Sequence, residues 1–312
     1  TTGFINTAIG YYALRDNTTA DYNVALGAYT LMSNTTAAIN TAVGTSALFS
    51  QSFDNAGVEY PTYNTAVGYE ALYSNNPTAA ANGIFNTAIG DRTLYSNTTG
   101  FRNTAVGARS LFSNTAGIWN TALGVDASRD NTVGNRNTSL GGEALLGNTA
   151  ANNNVAIGFQ ALRSQSFSNG GVAYNTGNTA LGYQSLYSNN PVSTASAFRN
   201  TGVGFQSMFS NSTGFQNTAV GYQSMFFNTS GSFNTALGDI SLANNTTGAF
   251  NVALGVGASY FNTIGWSNVA AGLNSLRNNR SSDGNVAIGQ EALYTQAYDP
   301  GVNWLAGNGA LG

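Results

Sequence analysis

The chain has 312 residues, of which only 7% are charged, and a formal net charge of −3; lysine, histidine and cysteine are absent. With no run of either charge there is no footprint for nucleic acid or a membrane surface. The missing residue types remove the common metal ligands, the side chain that titrates near neutrality and thiol chemistry, so neither a cofactor nor a disulfide framework is expected. No apolar run approaches the ~18 residues of a membrane span, so no membrane insertion is expected. The chain also begins inside a repeat without an initiator Met, and is expected to be a fragment of a longer repeat protein.

The first motif, Asn6-Thr7-Ala8-Ile9-Gly10, sets the pattern for all that follows. An Asn-Thr/Val-Ala-Val/Ile/Leu-Gly pentapeptide opens at Asn6, Asn23, Asn40, Asn64, Asn86, Asn103, Asn120, Asn137, Asn154, Asn178, Asn200, Asn217, Asn234, Asn251, Asn268 and Asn285, mostly seventeen residues apart, with a degenerate copy at Asn308. Length alone would suit two domains of ~150 residues. Self-similarity at a short fixed period instead marks a solenoid, whose coils are stable only when stacked. The expectation is a single continuous all-β domain over 1–312, a parallel β-solenoid (β-roll or β-helix) of about 17-residue coils.

Within a coil numbered from its Asn, positions 2 and 4 alternate around a nearly invariant Ala, which predicts a short strand. Thr7 or Thr41 exchanges with Val24, Val155, Val252 and Val286 at position 2, so that face is expected to point inward. The small residue at position 3 marks a close approach, and Gly at position 5 permits a bend. A second short strand is predicted next, typified by Tyr183-Gln184-Ser185-Leu186-Tyr187, with Leu14, Leu48, Leu72, Leu111 and Met208 stacking as one column at position 9. Position 12, again mostly Asn, opens a turn such as Asn97-Thr98-Thr99-Gly100.

The two Asn columns are assigned first to structure, as ladders that hydrogen-bond along the stack and satisfy turn backbone. A second assignment is N-glycosylation at Asn17, Asn34, Asn97, Asn211, Asn228 and Asn245, each in Asn-x-Ser/Thr at an expected exposed turn.

The period lapses in a pattern. Intervals of 24 and 22 residues separate Asn40, Asn64 and Asn86, and again Asn154, Asn178 and Asn200, 114 residues later. These predict protruding loops near 51–63, 75–85, 165–177 and 189–199, with another near 296–307. Pro61, Pro77, Pro191 and Pro300 all fall there, as expected of a residue that cannot donate to a central ladder. The loops carry Phe53, Tyr60, Tyr63, Phe167, Tyr174, Tyr298 and Trp304, the candidate contact residues, which would either meet a ligand or fold back over the stack.

No catalysis is expected. Glu70, Glu143 and Glu291 share position 7 with Gln160, Gln184, Gln206, Gln223, Arg92 and Arg109, which reads as a solvated surface rather than a paired-carboxylate site. Aromatic residues are left over at position 10 (Phe49, Tyr73, Tyr95, Phe112, Tyr187, Phe209, Phe226) and just before the Asn (Tyr22, Tyr63, Phe85, Trp119, Phe233, Phe250). Columns of this kind would be a large apolar patch on a lone chain, so burial between chains is expected.

The consensus Asn-Thr-Ala-Val-Gly-Tyr-x-Ala/Ser-Leu-Tyr-Ser-Asn-Thr-Thr-Gly is similar to the short repeats of bacterial surface and phage tail-fibre-type proteins. Cores such as Val155-Ala156-Ile157-Gly158 resemble the heads of trimeric autotransporter adhesins. The resemblance covers nearly the whole chain, although the coil is longer than the adhesin-head repeat, and it carries over no binding residue. It implies a left-handed β-roll in a trimer. The expected function is a structural and adhesive fibre segment, the shaft of an extracellular filament, surface adhesin or tail fibre on a cell surface or virion. Its expected partners are further copies of itself, as a trimer or end to end, and a cell-surface or glycan receptor. The competing expectation is a binding module with a flat Thr-rich face for ice or glycan.

Overall fold

The computed structural model describes residues 2–295 and the backbone of Trp304–Leu305 and Gly309–Leu311. It is an all-β parallel solenoid in which each coil contributes one three-residue strand; the helical element among the described residues is the single 3-10 turn Asn169–Gly171. The chain divides into two compact units, 1–153 with 168–174, and 154–167 with 175–312.

In the first unit the core strands are Thr7–Ile9, Val24–Leu26, Thr41–Val43, Thr65–Val67, Thr87–Ile89, Thr104–Val106, Thr121–Leu123 and Thr138–Leu140. Each pairs in parallel with the next at the register of the repeat, from Thr7 on Val24 to Thr121 on Thr138. The second unit repeats the arrangement from Val155–Ile157 on Thr179–Leu181 to Val286–Ile288 on Gly309–Leu311. Repeated sequence gives every coil the same neighbours, so one register satisfies all of them.

The orientation of the strand is the reverse of the expected one. Ala at position 3 points into the coil and is fully buried, from Ala25 and Ala42 to Ala270 and Ala287. Positions 2 and 4 face outward, as in Val24–Leu26, where both flanking residues are exposed. The interior is too narrow for anything larger on this wall, because position 9 faces it: Leu31, Leu48, Leu72, Leu94 and Leu111 in the first unit and Leu186, Met208, Met225 and Leu242 in the second are sealed from solvent. Each such burial stabilises by roughly 1.5–3 kcal/mol.

One pair of departures from the pattern is compensated across the interior, whereas Ser259, also in the Leu position, keeps a buried hydroxyl without a hydrogen-bond partner among the described residues. Where Ser139 replaces the Ala, Ser128 stands in the Leu position of the preceding coil, and their hydroxyls hydrogen-bond at 2.9 Å. Gly202 replaces the Ala where the Ser185 Oγ lies 2.6 Å from the point a Cβ would occupy. The Ser128 and Ser139 substitutions, which look independent along the chain, are one contact in space.

The second predicted strand is not a strand. Positions 7 and 9 adopt left-handed backbone, as in Arg92 (φ 48°) and Leu94 (φ 51°), or Gln184 and Leu186 (φ 51° and 52°). Such φ values cost non-glycine residues of order 1–3 kcal/mol where they are not over-determined by their surroundings. Here they are: Arg92 donates its N–H to the Tyr69 carbonyl of the preceding coil (2.8 Å) and Leu94 to the Ser110 carbonyl of the following one (3.0 Å). The segment therefore bonds up and down the stack while curling tightly enough to close a 17-residue coil.

Proline is less strictly confined to loops than the sequence predicts. Tyr60–Pro61 pairs in parallel with Ala37–Ala38. Tyr60 and Thr62 donate to the carbonyls of Thr36 and Ala38, so the ladder on this side never asks Pro61 for an N–H.

Candidate interaction surface

The outward strand face of each unit is a strip of β-branched and aliphatic side chains. In the first unit Thr65, Thr87, Thr104, Thr121 and Thr138 lie in register at position 2 beside Val67, Ile89, Val106, Leu123 and Leu140 at position 4. In the second, Leu181, Val220, Leu237 and Leu254 remain 37–44% exposed. The expectation of an inward position 2 is thereby corrected, while the Thr column lies outward as the competing expectation of a flat Thr-rich face requires.

Aromatic residues at equal positions stack because the coils bring them close to van der Waals range. Phe49, Tyr73, Tyr95 and Phe112 form a half-buried run with centroids 5.0–5.1 Å apart and planes within 8°. Tyr187, Phe209 and Phe226 do the same in the second unit. Before the Asn, Tyr63 stacks on Phe85 at 4.9 Å and Phe233 on Phe250 at 4.8 Å, and these rings stay 40–49% exposed. A further run that the sequence reading did not single out sits at position 6: Phe159, Tyr183, Phe205 and Tyr222 stack at 5.1–5.8 Å and are 42–49% exposed.

The loop residues divide. Tyr60 and Tyr174 turn inward, 4% and 8% exposed, with Phe53 edge-on against Tyr60 at 5.6 Å. Phe167 is half-buried and Tyr63 is exposed within its ring stack. Tyr298 lies outside the described residues, as does the Trp304 side chain. The loops are also tied down at their roots: Gln51 Nε2 donates to Thr62, Asn75 donates to Gln51 Oε1, and Ser52 bonds Asn76.

Burial pushes both the Tyr60 and Tyr174 phenols up to about 12. The proton is thus held more tightly in the folded chain than in the unfolded one, where the value is about 10. The stability this provides is complete below pH ~10 and is lost as pH rises through ~12, on the order of 2 kcal/mol per tyrosine. In absorbance-monitored titration two phenols should ionise late, and Tyr60→Phe should remove one of them.

Both Asn columns lie inside the stack. At position 1, the Asn103 amide donates to the Gly117 carbonyl at 2.8 Å and its Oδ1 accepts the Asn120 backbone N–H at 3.0 Å. At position 12, Asn114 Nδ2 donates to Asn97 Oδ1 (2.9 Å) and to the Gly117 carbonyl (3.1 Å). Five of the six glycosylation candidates, Asn34, Asn97, Asn211, Asn228 and Asn245, belong to this second column and are inaccessible, with Nδ2 committed to hydrogen bonds. Asn17 is half-buried and also donates to its own turn, at Ala20. A sugar on any of the five would have to displace two ladder bonds, so in the folded chain they are not open acceptors.

Position 7 carries ladders rather than independent solvated groups. Glu70 pairs with Arg92 (2.9 Å) and Arg109 with Asp126 (2.6 Å), while Gln160, Gln184, Gln206 and Gln223 pass amide hydrogen bonds of 2.8–3.0 Å from coil to coil. Glu70 and Asp126 are thus committed to arginine, while Glu291 is exposed. Among the described residues no cluster of three acidic or histidine groups could hold a metal ion, and no helix is long and apolar enough to cross a membrane. No family model matches the chain, and no curated sequence matches it.

Proposed function

We propose that the chain is a structural, adhesive fibre segment, the shaft of an extracellular filament, surface adhesin or tail fibre, that associates with further copies of itself through its outward strand face. The observation that carries the reading is the apolar strip of the second unit, where Leu181, Val220 and Leu237 lie beside the open ring stack of Phe159, Tyr183, Phe205 and Tyr222, a column that ends at the exposed Asp239. Apolar area removed from water contributes roughly 25 cal/mol per Å². A second copy suits this strip because it presents the same coil-to-coil spacing, so its rows fit the gaps between these rows along their whole length. The likeness of the repeats to adhesin heads favours three copies and an extracellular setting. Wild-type chain should sediment as a discrete oligomer, and Phe205→Asp combined with Leu181→Asp should shift it to monomer with an unchanged circular dichroism spectrum. A compact wild-type monomer would sink this reading.

A second reading draws on the outward Thr column of the first unit, which is in register over six successive coils from Thr41 to Thr138. A flat row of hydroxyls and methyls is suited to ordering water or ice. Thermal hysteresis separates the two: clear activity promotes the ice face, and its absence leaves the fibre.

A further inference from the structure

We propose that the corner formed by Trp119, Arg136 and Thr138 in the first unit is a binding site for an acidic sugar, a hexuronate residue within a polysaccharide. This gives the adhesive reading a ligand class, and it would stand even if the chain proved monomeric.

The three residues border an open-sided hollow of about 540 Å³, within the usual size range of small-ligand sites. Trp119 and Arg136 occupy the same repeat position in successive coils, and Thr138 is two residues beyond Arg136 on the outward strand face. Left-handed backbone at Trp119 (φ 60°) and Arg136 (φ 54°) projects both side chains from the corner, and each backbone N–H is anchored to the preceding coil, at Phe101 and Ile118.

The indole is preorganised. The Arg102 guanidinium lies over Trp119 at 4.5 Å and over Phe85 at 5.6 Å, a cation between two rings. Trp119 nonetheless remains 48% exposed. A rigid, half-open indole is a platform for the apolar C–H face of a pyranose, since it offers contact area at little cost in rotamer entropy.

The charge on this corner is not neutralised. Four arginines are paired with carboxylates, Arg15, Arg92, Arg109 and Arg129. Arg102 and Arg136 have no carboxylate partner among the described residues, so this corner holds two uncompensated guanidinium groups in a chain of net charge −3. Arg136 is exposed and can take a carboxylate bidentately, the geometry in which guanidinium is most selective. The Thr138 hydroxyl, at the hollow's edge, can meet a ring hydroxyl. An apolar C–H face, a carboxylate and a hydroxyl arranged around one ring describe a uronic acid; an acidic side chain such as Glu would meet the guanidinium but bring no ring C–H face to the indole.

Titration with trigalacturonate, followed by calorimetry, tests the site. Saturable binding is expected in the wild type, with at least tenfold loss in Arg136→Gln and in Trp119→Ala, and partial recovery in Arg136→Lys. The methyl-esterified trimer keeps the rings and loses the charge, and should bind at least tenfold more weakly. Each variant is checked by its melting curve, and Phe205→Asp should bind as the wild type does, which separates this site from self-association. Absence of saturable binding, equal binding of the ester, equal binding of polyglutamate, or unchanged affinity in both Trp119→Ala and Arg136→Gln would each overturn the proposal.

Discussion

Gly204→Val is expected to destroy the stack of the second unit locally, lowering its denaturant midpoint more than any surface substitution. Gly204 sits at φ 129°, and a Cβ there would lie 2.4 Å from the Gly221 carbonyl oxygen and 2.8 Å from its carbon. Neither coil can move away, because Gly204 N–H is bound to the Leu181 carbonyl and Gly221 N–H to the Val203 carbonyl, both at 2.8 Å. The backbone conformation costs roughly 1–3 kcal/mol for a residue with a side chain, and the overlap with fixed backbone brings the expected loss above ~4 kcal/mol. Gly170→Ala is the control: φ is 62° but nothing lies within 4 Å of the added Cβ, so only the conformational cost, about 1 kcal/mol, should appear. Urea melts of both variants decide the matter. Equal midpoints would mean that the coils do not approach at their glycines as closely as described.

Asn103→Leu should also destabilise the stack, by a different route. The substitution keeps the branching but removes the acceptor of the Asn120 N–H, leaving that backbone group buried without a partner, and strips the Gly117 carbonyl of one of its two donors, Asn114 Nδ2 remaining. One unsatisfied buried group costs ~1–3 kcal/mol, so a loss of about 1–3 kcal/mol is expected. Asn103→Asp probes the same site with pH. It keeps the acceptor of the Asn120 N–H but sets a second oxygen against the Gly117 carbonyl, which a protonated carboxyl tolerates and a carboxylate does not. Its folded-state pKa is therefore raised above the unfolded value of about 3.9. By linkage the variant is most stable below that value and loses stability as pH rises through the folded pKa. Thermal melts at pH 3 and pH 7 measure this; a variant more stable at pH 7 would show that position 103 is not enclosed.

Much of this architecture was legible because a repeat repeats its environment. The seventeen-residue spacing gave parallel, in-register coils, the glycine at position 5 gave the bend, and the leucine column at position 9 gave the core. The lapses in period located loops whose roots the structure ties with Gln51, Asn75 and Ser52. The candidate surface was read less well. The aromatic columns before the Asn were visible as leftover apolar residues, but the position 6 stack and the unpaired arginines at 102 and 136 were not, since their significance depends on what lies in the adjacent coil.

Period, register and the inward leucine are properties the sequence determines by itself, because each follows from a spacing along the chain. Which side of the strand faces in, the left-handed curl at positions 7 and 9, and the enclosure of the sequon asparagines were decided only by the tertiary structure. Alternation with period two distinguishes two faces without saying which is inside. That choice is set by the distance between opposite walls of a coil, where Leu94 and Leu111 leave room for the methyl groups of Ala88 and Ala105 and nothing larger.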